Sequence, residues 1–179
     1  NVVSFDVIGG EFFLYDKWKE VLKELSECGF SPYLSTKMPL SRTDIEVLAE
    51  LKIRDIQVSL DTMIEEHLTN SIRVKEGYVS KMISSLKLLE EYHIPVMLHS
   101  VLTQYNDSVE DMRSLYEVCK EYSNISDWHI VKGDKTLYPR TDYKNIEIES
   151  DKMLKICTYL KEISERSPFP IKYPPIPQE

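Results

Sequence analysis

Short apolar or alternating runs take turns along this chain with longer stretches whose apolar positions recur every three to four residues. The short runs predict strands over residues 1–8 (NVVSFDVI), 31–36 (SPYLST), 55–61 (DIQVSLD), 95–103 (PVMLHSVLT) and 127–132 (DWHIVK). The longer ones predict helices over 16–29, 41–53, 76–94, 107–123 and 150–166. In the first helix Trp18, Val21, Leu22 and Leu25 share a stripe and Gly29 supplies the stop. In the second, Ser41 with Asp44 three residues on forms a capping-box pattern. Residues 133–148 carry no clear period, and the segment 167–179 holds five of the nine prolines, so it reads as a linker or an edge segment.

Strands separated by helices in this order argue for parallel strands joined by right-handed crossovers. Side-chain alternation then separates an open doubly wound sheet from a barrel. Ile56, Val58 and Leu60 fall on one face of their strand, whereas Gln57, Ser59 and Asp61 fall on the other. In the next strand Val96 and Leu98 point one way, and Met97, His99, Val101 and Thr103 the other. One apolar and one polar face suit a βα barrel with helices outside and a site in the lumen. A single α/β barrel-like domain over 1–166 followed by a tail over 167–179 is the expected organisation.

Composition narrows the partners. The net charge is −8 and the lysines are interspersed with glutamates along helices, which gives a solvated acidic surface and no patch for nucleic acid. No apolar run approaches the roughly 20 residues of a membrane span, and no signal-peptide pattern opens the chain. Cys28, Cys119 and Cys157 are odd in number and far apart, which points to free thiols, a reducing compartment and a cytoplasmic location.

In a barrel the chemistry sits where strands run out into the following loops. Those ends carry Gly9, Gly10 and Glu11; Ser35, Thr36 and Lys37; Ser59, Asp61 and Thr62; Thr103 and Asn106; and Lys132 with Gly133. Glycines let the backbone approach a ligand closely, and a neighbouring carboxylate accepts from an ammonium group or a sugar hydroxyl. Each also has an ordinary structural role: Glu11 can favour the start of the following helix, Asp61 can cap a turn, and Arg73 can pair with Glu65 or Glu76.

Taken in order, these residues resemble the radical SAM superfamily over roughly residues 1 to 135, particularly peptide- and protein-modifying members with C-terminal SPASM-type cluster domains. "GGEFFL" is similar to the family's Gly-Gly-Glu-Pro motif, "LSTKMPLS" to Ser-Thr-Asn-Gly-x-Leu, and "IQVSLDT" to its Val-Gln-Val-Ser-Leu-Asp strand. "EEHLTNSIRVKEGYVSKM" resembles the His, Arg, then Gly-aromatic pattern, and "IPVMLHSVLTQYN" and "WHIV" resemble its fifth and sixth strands. The resemblance implies a partial (β/α)6 TIM-like barrel holding parallel strands 2 to 6, with S-adenosylmethionine as cofactor. Gly9, Gly10 and Glu11 would meet its amino group, Arg73 its carboxylate, Ser59 and Asp61 its ribose side, and Val101 and Ile130 its adenine, with Ser35 in the same pocket. His99 and Thr103 face the lumen by parity and are candidate substrate contacts.

Phe12 replaces the usual proline and Lys37 the usual asparagine. The three-cysteine C-x3-C-x2-C loop that ligates a [4Fe-4S] cluster is absent, and the three cysteines present lie too far apart in the pattern to replace it. The resemblance therefore implies that Asn1 stands at the barrel's second strand, that the chain is a piece of a longer enzyme, and that by itself it is inactive. It makes a peptide or protein the expected substrate. Two rivals remain: a metal-dependent βα-barrel hydrolase or isomerase using Glu11, Asp61, His99 and His129, and a non-catalytic binding module.

Overall fold

The structure is a computed structural model that describes residues 7, 10–133 and 146–175. The strand expected over 1–8 and Gly9 therefore lie outside the described residues, except for Val7, whose N–H donates to Tyr33 O at 3.1 Å.

Five parallel strands form one sheet in chain order: β1 (Leu34–Thr36), β2 (Ile56–Ser59), β3 (Val96–Leu102), β4 (Ile125–Lys132) and β5 (Ile171–Lys172). A 3-10 turn (Phe12–Leu14) precedes α1 (Trp18–Glu27), and α2 (Arg42–Glu50) links β1 to β2. Two helices, α3 (Glu65–Ile72) and α4 (Tyr78–Glu91), link β2 to β3, followed by α5 (Val109–Cys119) and α6 (Ser150–Ser164). The capping box at Ser41 is present, and Ser108 with Asp111 forms a second at α5. The hydrophobic pattern did not mark α3, which buries only Leu68 completely and ends on Arg73 with φ +58°. The proline-rich segment supplies β5: Pro170 O accepts from Trp128 N at 2.9 Å, a role that needs no proline N–H.

The sheet has two unlike faces. Leu34, Ile56, Val58, Leu60, Val96, Leu98, Leu102, Trp128 and Ile130 are buried under the helices. There they meet Ile45 and Leu48 of α2, Met82, Leu86 and Leu89 of α4, Met112 and Leu115 of α5, and Ile156 and Leu160 of α6 in one core. Each such side chain removed from water contributes about 1.5–3 kcal/mol. Within this face Ser100 Oγ accepts from Trp128 Nε1 at 2.9 Å and donates to Leu60 O at 2.6 Å, so all three polar atoms are satisfied. Along β3 buried residues alternate with half-buried ones, leaving Met97, His99 and Val101 on the other, concave face. That alternation is the one the sequence pattern predicts.

Candidate functional site

The site begins where the β2–β3 ladder ends. Leu60 N still donates to His99 O at 2.9 Å. Two residues on, Val101 N finds not a backbone carbonyl but the Asp61 carboxylate, with Oδ1 at 2.8 Å. Asn106, only 3% exposed, closes the gap that this leaves. Its Nδ2 donates to Asp61 O and to Val101 O at 3.0 Å each, and its Oδ1 accepts from Thr103 N at 2.8 Å and Thr103 Oγ1 at 2.9 Å. Asp61 is thus anchored by one oxygen, while Oδ2 makes no hydrogen bond with the described residues. Burial raises its pKa, opposed by the Val101 N–H and by the positive fields of Lys37 and His99.

Across the mouth, Glu11 accepts from Lys37 N through Oε2 at 2.8 Å and from Phe13 N through Oε1 at 3.4 Å. It therefore caps the 3-10 turn and holds the end of β1 with one carboxylate. Gly10 leads into this cap at φ +41°; a Cβ there would meet nothing within 4 Å, so the backbone angle rather than crowding calls for glycine. Phe13 packs edge-on to Trp18 at 4.9 Å and fixes the turn to α1.

Tyr78 bridges the two halves of the mouth. Its hydroxyl donates to Lys37 O at 2.6 Å, and burial, reinforced by Asp61 and Glu11, pushes its pKa up to about 12. Glu65 positions it, because its carboxylate accepts from Gly77 N at 2.5 Å and Val79 N at 3.2 Å and so caps α4 from α3. Asp111, whose side chain is fully buried, ties in α5. It accepts from Thr62 Oγ1 at 2.7 Å, Ser108 N at 3.2 Å and Ser108 Oγ at 2.5 Å, and meets His67 Nδ1 at 2.7 Å.

On the concave face, register places Ser59, His99, His129 and Lys172 side by side on β2 to β5. Burial lowers the His99 pKa, helped by His129 and Lys37 and opposed by Asp61. Burial of Asp127 acts to raise its pKa, but hydrogen bonds from Lys172, His129 and Ser126 outweigh it and hold the carboxyl low.

The structure gathers Gly10, Glu11, Ser35, Ser59, Asp61, His99, Val101 and Thr103 along the strand ends and concave face. Ile130 does not join them. Partners in a parallel ladder point to the same side, so Ile130, opposite Ser100, is packed among the helices at 3% exposure, and Val131 is the residue beside Val101. Arg73 is exposed, and its guanidinium makes no hydrogen bond or ion pair with the described residues. Tyr78, Asp111, Asp127 and Lys172 were not singled out from the sequence. Only Tyr78 had a signal there, the Gly-aromatic step that opens α4.

Cys28 is exposed, whereas Cys119 and Cys157 are buried within α5 and α6, and burial pushes the Cys119 thiol up to about 12. His99 and His129 face the concave side, as a metal-barrel reading requires. Among the described residues, however, no three of His, Cys, Asp and Glu converge as a metal-ligand set. Among the described residues no helix is long and apolar enough to cross a membrane.

No family model matches the chain, and no curated protein matches it by sequence. Solved structures do match. SuiB of Streptococcus suis superposes with a TM-score of 0.74 at 18% identity, over 96% of this chain and 39% of SuiB, and has also been solved bound to S-adenosylmethionine and to the precursor peptide SuiA. TYW1 with a lysine-pyruvate adduct bound gives 0.63 at 18% identity, over 92% of this chain and 51% of TYW1. Native anSMEcpe with bound AdoMet and Kp18Cys peptide gives 0.65 at 17%, over 94% of this chain and 49% of its own. The chain thus spans between two-fifths and about half the length of these proteins. These neighbours are radical SAM enzymes, and the chain has the fold of a part of them, a partial βα barrel of parallel strands.

Proposed function

We propose that this chain is the S-adenosylmethionine-holding part of a radical SAM enzyme that acts on a peptide or protein. The observation that carries the reading is Asp61: a carboxylate anchored through one oxygen, with the other open, at the strand ends of a barrel whose solved counterparts include S-adenosylmethionine complexes. Asp61 Oδ2 and Ser59 would accept and donate at the ribose, and Val101 would cover the adenine. Glu11, beside the backbone of Gly10 and two residues after Gly9 in the chain, would accept from the methionine ammonium. Arg73, free of partners among the described residues, would turn inward to the carboxylate. Two acceptors and an exposed cation match the ammonium, hydroxyls and carboxylate of this cofactor. When bound, S-adenosylmethionine would supply hydrogen-atom abstraction, given one electron from outside these residues to cleave its sulfonium C–S bond with methionine as the leaving group. The chain's own residues orient the cofactor and exclude water from the concave face, with His99 and Thr103 toward the substrate.

The cysteines do not fit the iron–sulfur cluster that the resemblance implies, because Cys119 and Cys157 are buried in separate helices and Cys28 is exposed at the end of α1. We expect these residues alone not to cleave the cofactor. Peptide complexes of SuiB and anSMEcpe support a peptide substrate. The test uses the full-length protein, reconstituted with iron and sulfide without oxygen and reduced with dithionite. Chromatography should then detect 5′-deoxyadenosine from S-adenosylmethionine, and Asp61→Asn should weaken cofactor binding about ten-fold or more. A full-length protein that neither binds nor cleaves S-adenosylmethionine would overturn the reading.

A further inference from the structure

We propose that the concave face carries, between β4 and β5, a receptor for a carboxylate group, built from Lys172 and His129 with Asp127 behind them. A cleft of about 310 Å³ opens there, lined by His129, Val131, Lys132, Lys172, Tyr173 and Pro174. Among the described residues that line it, none is acidic. Lys132 has an acidic partner in Glu147, at 3.5 Å. Lys172 is well exposed and His129 partly so. Val131, 41% exposed, together with Tyr173 and Pro174 offers apolar surface for the methylenes that would lead to the charged group.

At the polar end of the cleft one ring nitrogen faces two partners. His129 Nε2 lies 2.8 Å from Asp127 Oδ2 and also 2.8 Å from Lys172 Nζ, which is itself 3.1 Å from Asp127 Oδ2. A single ring nitrogen either carries a proton or offers a lone pair. If it donates to Asp127, it turns an N–H toward the lysine ammonium. If it accepts from Lys172, its lone pair faces a carboxylate oxygen. Empty, with a neutral imidazole, the three groups sum to no net charge, and one of the contacts is always mismatched.

An incoming carboxylate resolves this. Lys172 turns from the ring to the ligand's oxygens, and His129 Nε2–H is left to donate to Asp127 alone, so that no contact is mismatched. That the carboxylate belongs to an acidic residue of a peptide substrate rests on the functional reading above; the receptor itself does not.

The test is a ligand-observed NMR titration of the full-length protein with N-acetylglutamate α-methylamide and with its glutamine counterpart. The glutamate probe should bind about ten-fold more tightly or better at about pH 6.5, the worth of one charge-assisted pair. Lys172→Met should abolish that preference, and Lys172→Arg should keep it. Equal binding of the two probes, or a preference that survives Lys172→Met, would overturn the proposal. Cofactor binding is measured on the same wild-type sample. A carboxylate preference without S-adenosylmethionine binding would uphold the receptor and refute the functional reading, and the reverse would refute the receptor alone.

Discussion

Asn106 should be the residue on which the geometry of the mouth depends most. Asn106→Ala strands three backbone groups in a nearly closed site: the carbonyls of Asp61 and Val101, and the N–H of Thr103. Each unpartnered buried group costs about 1–3 kcal/mol, but the space left by the shortened side chain admits water, so a total of about 2–4 kcal/mol is expected. Asn106→Asp is the sharper change. It keeps both bonds to Thr103 yet turns a second oxygen toward two carbonyl oxygens, each 3.0 Å from the present Nδ2. An uncompensated buried charge of this kind costs about 3–5 kcal/mol. The new carboxyl's folded-state pKa would be raised, so its penalty is absent below its unfolded value of about 3.9 and grows as pH rises through the folded value. Urea unfolding at about pH 5 and about pH 7.5 should therefore show Asn106→Asp as the less stable variant at the higher pH, recovering at the lower. An aspartate variant as stable as the alanine variant at the higher pH would refute the reasoning, because it would mean that the amide is not donating where the structure has it.

Three further outcomes follow from single contacts. Ser100→Ala leaves Trp128 Nε1–H and Leu60 O without a partner in the core and should cost about 1–3 kcal/mol in urea unfolding; a loss below about 0.5 kcal/mol would show that the pair is not buried as described. Glu65→Ala uncaps Gly77 and Val79 and should cost about 1–2 kcal/mol, while Glu65→Asp, one methylene shorter, should fail to restore both bonds. The His99 pKa is lowered from its ordinary 6.5, so the stability that its neutral ring contributes is present above 6.5 and is lost as pH falls through the lower folded value. Thermal unfolding of His99→Gln should accordingly vary less with pH just below 6.5 than that of the wild type, and parallel curves would count against the shift.

Much of this protein was legible before any coordinates. The alternation in "IQVSLD" and "VMLHSVL" determined which side of each strand meets helices, because a strand's side chains alternate strictly and apolar ones are driven from water. The βα order implied parallel strands, and the glycines and carboxylates at the strand ends pointed to the mouth. Boundaries set by weak signals were less legible: α3 buries little, and β5 lies in a proline-rich segment whose composition says only that no regular helix forms.

The sequence by itself determined the fold class, the polar lining and the candidate residues of the mouth. Only the tertiary structure decided how those residues are tied together. That Asp61 is held by Val101 N, that Asn106 satisfies two strands at once, that Ile130 belongs to the core and that Lys172 meets His129 across strands all depend on register. Register is a relation between segments far apart in the chain. The alternation of each strand restricts it to every second residue, and the packing of the whole core selects among those.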